Sequence, residues 1–145
     1  MKTALVNGIL LNGFENMQPE GGLAILIEND KIADIIPQNE VGEDCEKFDL
    51  DGQYVMPGLI NMHVHLAGSG KPQKKQRDNE KLVKTIMGSS LTRAIAYKMV
   101  CGFAYDELMS GVTTIRTVGG LGNFDTRLRN EINNGEKIGP RILAA

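Results

Sequence analysis

Histidine and cysteine are both scarce in this chain of 145 residues, which has two of each. Two cysteines, Cys45 and Cys101, are too few for a disulfide framework, and the opening residues lack the long apolar run of a signal peptide. We therefore expect reduced thiols and a cytoplasmic protein. No apolar run approaches the roughly 20 residues that span a bilayer, so no membrane span is expected either.

The chain also lacks a strong net charge of either sign, because the formal net charge is only −2 and the charged fraction of 23% is ordinary. A hydrophobic fraction of 41% is ordinary for a globular protein. The composition therefore predicts neither a nucleic acid nor a membrane surface as a partner.

Both histidines lie in one apolar segment, 59–66, which follows Pro57-Gly58. Side chains two residues apart in a strand point to the same face, so His63 and His65 are predicted to lie side by side. Neutral imidazoles are good zinc ligands, which makes this pair the candidate metal site. A His-x-His pair also arises by chance, and two histidines alone do not satisfy a metal that takes four ligands.

The other face of the same strand is predicted to be apolar and to be covered by helices; it comprises Ile60, Met62, Val64 and Leu66. A strand that is apolar on one face and binds metal on the other is typical of a parallel barrel, whose active site lies at the carboxyl ends of its strands.

Three dipeptides that favour tight turns lie between short apolar stretches early in the chain, at Asn7-Gly8, Asn29-Asp30 and Asp51-Gly52. The first two predict hairpins, and Asp51-Gly52 predicts a turn between 47–50 and 53–56. Residues 1–56 are therefore predicted to form a small antiparallel β unit, with an acidic surface loop at 40–46.

Residues 57–145 instead predict strands that alternate with helices. A helix capped by Asp78 or Asn79 has apolar residues at three- and four-residue spacing, is bent or divided at 88–90, and ends at Gly111. This helix would connect the histidine strand to a second, parallel strand.

That second strand is predicted at 112–118, where the residues are mostly β-branched, and a further helix is predicted at 124–133. The glycines at 119–122 lack the third glycine of a dinucleotide-binding loop, so we interpret them as a turn rather than a phosphate cradle. Arg116 either contacts a substrate or metal shell or forms an ion pair inside the barrel wall, and the ion pair is favoured because a buried Arg needs a partner. The basic segment 71–77 could attract a carboxylate, although a solvated loop is favoured.

Three motifs resemble those of one known family. Val55 to His65 closely resembles the first-strand signature of the amidohydrolase superfamily, and two later segments, 110–120 and 139–144, are similar to the second and third strand motifs of its prolidase-like and imidazolonepropionase-like branch. The family usually has Asp where this chain has Asn61, and often where it has Thr117.

This resemblance implies an α/β fold: the first part of a TIM-type (β/α)₈ barrel at 57–145, preceded at 1–56 by the N-terminal part of a β-sandwich. It also implies Zn²⁺, as one or two ions, and a small-molecule substrate such as a dipeptide ending in Pro or Arg, or a cyclic amide. A carboxylated Lys, two further His and an Asp would complete the site from later strands. An oligomer is expected.

Chain length limits what these motifs can do here. A complete barrel needs about 250 residues, and only 80 follow His65. We therefore expect an incomplete barrel that contributes His63 and His65, with the catalytic residues beyond residue 145. Two functional interpretations stay open: part of a metal-dependent hydrolase of C–N bonds, inactive by itself, or a non-catalytic fragment that folds by association with its complement or another copy.

Overall fold

A computed structural model describes residues 2–68 and 78–144, and the chain divides into two compact units, Met1–Pro57 and Gly58–Ala145. The described part of the first unit contains β1 (Lys2–Val6), β2 (Ile9–Leu10), β3 (Leu23–Glu28), β4 (Lys31–Pro37), a 3₁₀ helix (Gln38–Glu40), β5 (Glu46–Asp49) and β6 (Tyr54–Val55). The second contains β7 (Leu59–Val64), α1 (Asn79–Met87), α2 (Ser90–Met109), β8 (Val112–Thr117), α3 (Phe124–Asn133) and β9 (Arg141–Ala144). No helix in these described ranges is both long and apolar enough to cross a membrane.

In the first unit, a four-stranded sheet has the order β4-β3-β1-β5, and β2 pairs separately with β6. The hairpin predicted at Asn29-Asp30 is confirmed, because β3 and β4 pair antiparallel across it. Both turn residues have positive φ, 49° and 64°, as the turn type that suits a tight hairpin requires.

The hairpin predicted at Asn7-Gly8 is wrong, the turn predicted at Asp51-Gly52 is present, and the unit is not wholly antiparallel. Both turns exist, but each carries the chain from one sheet to the other, so that β1 pairs with β5 and β2 with β6 in parallel. The turns lie side by side, because Asn7 Nδ2 donates to Asp49 Oδ1 at 2.9 Å and Gly52 N donates to the Asn7 carbonyl at 2.7 Å. The turn dipeptides therefore predicted where the chain turns but not which strands pair.

In the second unit, β7, β8 and β9 form a parallel sheet in that order. The predicted helix is divided at Gly88, and Asp78 caps its first half by accepting from Lys81 N at 3.0 Å. Ser89 caps the second half by accepting from Thr92 N, and Gly111 ends it with a φ of 91°. The α/β fold with an incomplete barrel is thereby confirmed.

The core of this unit lies between the sheet and the helices. Strand residues pack against α2 and α3 in one cluster of buried side chains, which includes Val64, Leu66, Val100, Ile115, Leu128 and Ile142. Because these residues come from all three strands and both long helices, the strands and helices hold one another in register.

The predicted apolar face of β7 is only partly covered. Val64 and Leu66 are buried, whereas Ile60 and Met62 are 63% and 50% exposed. The pairing of β7 with β8 shifts register between Asn61 and Val64, and such an irregularity breaks the strict alternation assumed from sequence.

A charged cluster joins α2 to α3 on the helical side of the sheet. Tyr97 donates its hydroxyl to Glu131 Oε2 at 2.6 Å, and Arg127 Nε donates to Glu131 Oε1 at 2.7 Å while its guanidinium lies 4.0 Å from the Tyr97 ring centroid. These two hydrogen bonds lower the pKa of Glu131, and the one from Tyr97 has the larger effect. The pKa of Tyr97 is raised, mainly by burial and next by its hydrogen bond to Glu131.

Tyr97→Phe is expected to reduce the free energy of unfolding by about 1.5 kcal/mol at pH 7, because Glu131 loses a hydrogen bond to its charged form. The lowered pKa means that this stabilisation is present above the ordinary pKa of Glu131 and is lost as the pH falls through its folded value. Urea unfolding at pH 7 and pH 3 should show the difference from wild type narrowing at low pH. Tyr105→Phe, at a tyrosine of the same helix that is 45% exposed, should show no such pH dependence.

Gly58 lies where β7 closely approaches β8, since an added Cβ would overlap the Cβ and both γ atoms of Thr113. Gly58→Ala should therefore separate the strand ends and cost about 1–3 kcal/mol in stability. Gly21→Ala is the control, because a methyl group there meets nothing within 4 Å. Equal unfolding midpoints for the two variants would contradict the importance of this contact.

Candidate metal centre

His63 ends β7 together with Val64, and His65 follows directly. Val64 points into the core, while both histidines are exposed on the other side of the chain. Their ring centroids are 5.2 Å apart and the ring planes are inclined by 71°. Two imidazoles bound to one tetrahedral zinc ion at 2.0–2.1 Å would have centroids roughly 5 Å apart, so the pair fits a shared divalent ion.

The orientation of His65 is set by the neighbouring strand. Its Nδ1 lies 3.2 Å from the carbonyl oxygen of Gly119, which lies two residues beyond the end of β8. A carbonyl only accepts, so Nδ1 carries the proton and Nε2 retains the lone pair that a metal would bind. This is the type of contact that fixes the tautomer of metal-binding histidines.

Asn61 supports the backbone of the pair rather than a ring. Its Oδ1 accepts from the backbone N–H of His63 at 3.2 Å. A carboxylate oxygen could accept the same bond, and the amide does so without adding negative charge beside the histidines.

Asp125 lies behind the loop that holds His65. It is in the first turn of α3, only 7% exposed, and its Oδ1 has no hydrogen-bond partner among the described residues. A Cβ added to Gly120 would lie 2.6 Å from both carboxylate oxygens. The loop can therefore pass this close to Asp125 only because position 120 is glycine.

An open concavity of about 510 Å³ lies at the carboxyl ends of β8 and β9, lined by Arg116, Val118, Gly119, Leu143 and Ala144. Arg116 is exposed there, and within 2–68 and 78–144 it forms no ion pair, so the ion pair favoured from sequence stays a prediction. The concavity and His65 share Gly119, which places both at the same edge of the sheet.

Two histidines are the whole donor set in the part of the chain that the structure describes, because no third His, Cys, Asp or Glu joins them there. The basic segment 71–77 lies outside the described residues. Sequence reasoning missed the contact of Gly119 with His65 and the close approach of Asp125 to Gly120. The glycine pair that follows the predicted second strand was the available signal for Gly119. Nothing in the sequence indicated the position of Asp125.

Parallel strands joined by helices, with paired histidines where a strand ends, are typical of the α/β-barrel class, and the described residues include three such strands. Residues 54–145 match the amidohydrolase family. The match covers more than half of the chain, and the chain belongs to that family. Amidohydrolases generally bind divalent metals.

Individual relatives extend well beyond this chain. The dihydroorotase of Syntrophus aciditrophicus (strain SB) is 37% identical over 76 residues, which cover 52% of this chain and 17% of the dihydroorotase. A 5-methylthioadenosine/S-adenosylhomocysteine deaminase of Bacillus thuringiensis (strain Al Hakam) is 36% identical over 72 residues, which cover 48% of this chain and 16% of the deaminase. The structure of a Xaa-Pro dipeptidase with methionine in its active site matches 100% of this chain and 33% of its own, with 29% identity and a TM-score of 0.74. This chain thus spans less than a fifth of these two curated relatives.

Neutral His65 is expected to be protonated on Nδ1, because Gly119 offers only an acceptor. Long-range ¹H–¹⁵N NMR at a pH where the ring is neutral would identify the protonated nitrogen. His63, whose ring has no hydrogen-bond partner among the described residues, is the internal comparison. An Nε2-protonated ring at His65 would contradict the proposed orientation.

Proposed function

We propose that this chain forms the N-terminal part of a metal-dependent hydrolase that cleaves an amide or peptide C–N bond, with His63 and His65 as its first two metal ligands. The observation that carries this proposal is the 5.2 Å separation of the two rings at the carboxyl end of β7. In parallel barrels, that end of the strands is where active sites are built.

A divalent ion, for which Zn²⁺ is the best candidate, supplies the chemistry when bound by polarising the scissile carbonyl and lowering the pKa of a bound water. The residues of this chain orient the ligands. Gly119 holds His65 with Nε2 free, and Asn61 fixes the backbone of His63. One or two ions, the remaining ligands and the general base belong to the completed enzyme.

Uncovered surface in the second unit supports the need for more chain. Within 58–68 and 78–144, its sheet ends at β7 on one side and β9 on the other, and both strands expose large apolar side chains, namely Leu59, Ile60, Met62 and Leu143. Strands in parallel barrels are normally buried on both faces. Further strands and helices of a barrel would cover these residues and pair the free edges.

We infer that the substrate is a small amide. The dipeptidase and the dihydroorotase among the relatives point to a dipeptide or a cyclic amide. Arg116, exposed in the concavity beside Gly119, offers a guanidinium that can bind a carboxylate of such a substrate with two hydrogen bonds. The opposing proposal is a non-catalytic chain that only associates with its complement or another copy.

The chain completed by the C-terminal part of its barrel is expected to bind zinc and to hydrolyse dipeptides or cyclic amides, whereas the 145-residue chain alone should bind metal weakly and turn over nothing. His63→Ala or His65→Ala should abolish activity and metal content with little effect on folding. Metal analysis, hydrolysis rates and circular dichroism measure the three effects.

Met62→Leu, an exposed neighbour of similar volume, is the matched control and should retain metal and activity. Val64→Asp should instead unfold the protein, because it buries an unpaired charge in the core. A completed chain that kept its zinc and its rate without either histidine would rule out this site. A completed, folded chain that hydrolysed no amide would favour the non-catalytic interpretation.

A further inference from the structure

We propose that the outer face of α2 is an interface between two copies of this chain, which pair antiparallel about a two-fold axis at Gly102. The proposal does not depend on the metal site or on the reaction. It rests on an exposed apolar stripe along α2. In an antiparallel pair of α2 helices, the residues of this stripe before Gly102 would face those after it.

The outer stripe of α2 consists of exposed apolar residues on one side of the helix: Leu91, Ile95, Met99, Tyr105 and Met109. Each is between 45% and 70% exposed. At 3.6 residues per turn, these positions lie opposite the residues that α2 buries against the sheet, which are Ala96, Tyr97, Val100 and Ala104. A surface helix normally carries polar residues on that opposite side.

Completion of the barrel would not cover this stripe. Helices of a barrel form a ring around the strands, so the neighbours of α2 pack at its flanks and the strands lie beneath it. The outer stripe faces away from the strands, on the outside of that ring. A partner that covers it must therefore come from outside the barrel.

The stripe matches itself about Gly102. In an antiparallel pair with its axis at this residue, positions equally far before and after Gly102 meet across the interface, as in any isologous contact. Met99 then meets Tyr105, and Ile95 meets Met109. Gly102 is exposed, and an added Cβ would meet nothing within 4 Å, so a second helix can approach the backbone closely at the axis.

Charge identifies the partner as a second copy. Lys98 lies four residues before Gly102 and Asp106 lies four residues after it. Both are exposed, and neither forms an ion pair within the described part of the chain. The antiparallel arrangement brings Lys98 of each copy to Asp106 of the other, which makes two complementary pairs per dimer.

Charge reversal in the protein at its full natural length tests this pairing. Sedimentation should show a dimer at micromolar concentration. Lys98→Glu or Asp106→Lys alone should raise the dimer Kd at least about tenfold, because each change turns two attractive pairs into two repulsive ones. The double variant carries both charges exchanged and should recover the wild-type Kd to within about twofold.

Cross-linking at the axis gives an independent readout. In a Cys45→Ser, Cys101→Ser background, Gly102→Cys should form a covalent dimer rapidly on mild oxidation, because a residue on the two-fold axis meets its own copy. Lys81→Cys, an exposed position on α1, is the control and should cross-link slowly.

The proposal is overturned if the full-length protein is a monomer. In a monomer the outer stripe would be either exposed or covered by another part of the same chain, not by a second copy. It is also overturned if the double charge variant stays as weak as the single variants, or if the two cysteines cross-link at equal rates. Recovery by the double variant together with selective cross-linking at 102 supports it.

Discussion

Parallel pairing of β7 with β8 is the contact on which the second unit depends. Leu59 N donates to the Gly111 carbonyl at 2.9 Å at one end, and Val118 N donates to the Val64 carbonyl at 3.1 Å at the other. This register brings the carboxyl ends of the two strands together, so the carbonyl of Gly119 lies within reach of His65. The orientation of a candidate metal ligand therefore follows from backbone pairing and needs no separate network of side chains.

Features that depend on neighbouring residues were predictable from sequence. Asp78 and Gly111 have local capping signals, and the turn at Asn29-Asp30 closes a hairpin between strands that are adjacent in the chain. The turn at Asn7-Gly8 has the same local signal, yet β1 and β2 go to different sheets. Strand partners far apart in the chain are selected by packing of whole sheets, which a dipeptide does not encode.

In the candidate site, too, only the local features were predictable from sequence. His63 and His65 form a local motif, whereas Gly119 contributes a backbone carbonyl from 54 residues beyond His65, and such a group has no residue type that marks it. The closeness of Asp125 to the loop after β8 could not be recognised from sequence either, because it depends on how near Gly120 passes to the carboxylate. Backbone acceptors and steric gaps become visible only once the strands are paired, since they are properties of the fold rather than of a residue.

The two exposed apolar surfaces of the second unit call for different partners. Among the residues that the structure describes, the outer edges of β7 and β9 have no strand partner, and further strands would pair their backbone N–H and C=O groups. In α2 the interior backbone groups are already bonded within the helix, and its outer stripe needs only apolar and charge complementarity. Further barrel strands would therefore cover the edges of β7 and β9, and a helix of a second copy would cover the outer stripe of α2. Because the two surfaces lie on different parts of the unit, completing the barrel and pairing two copies can occur together without competing for the same residues.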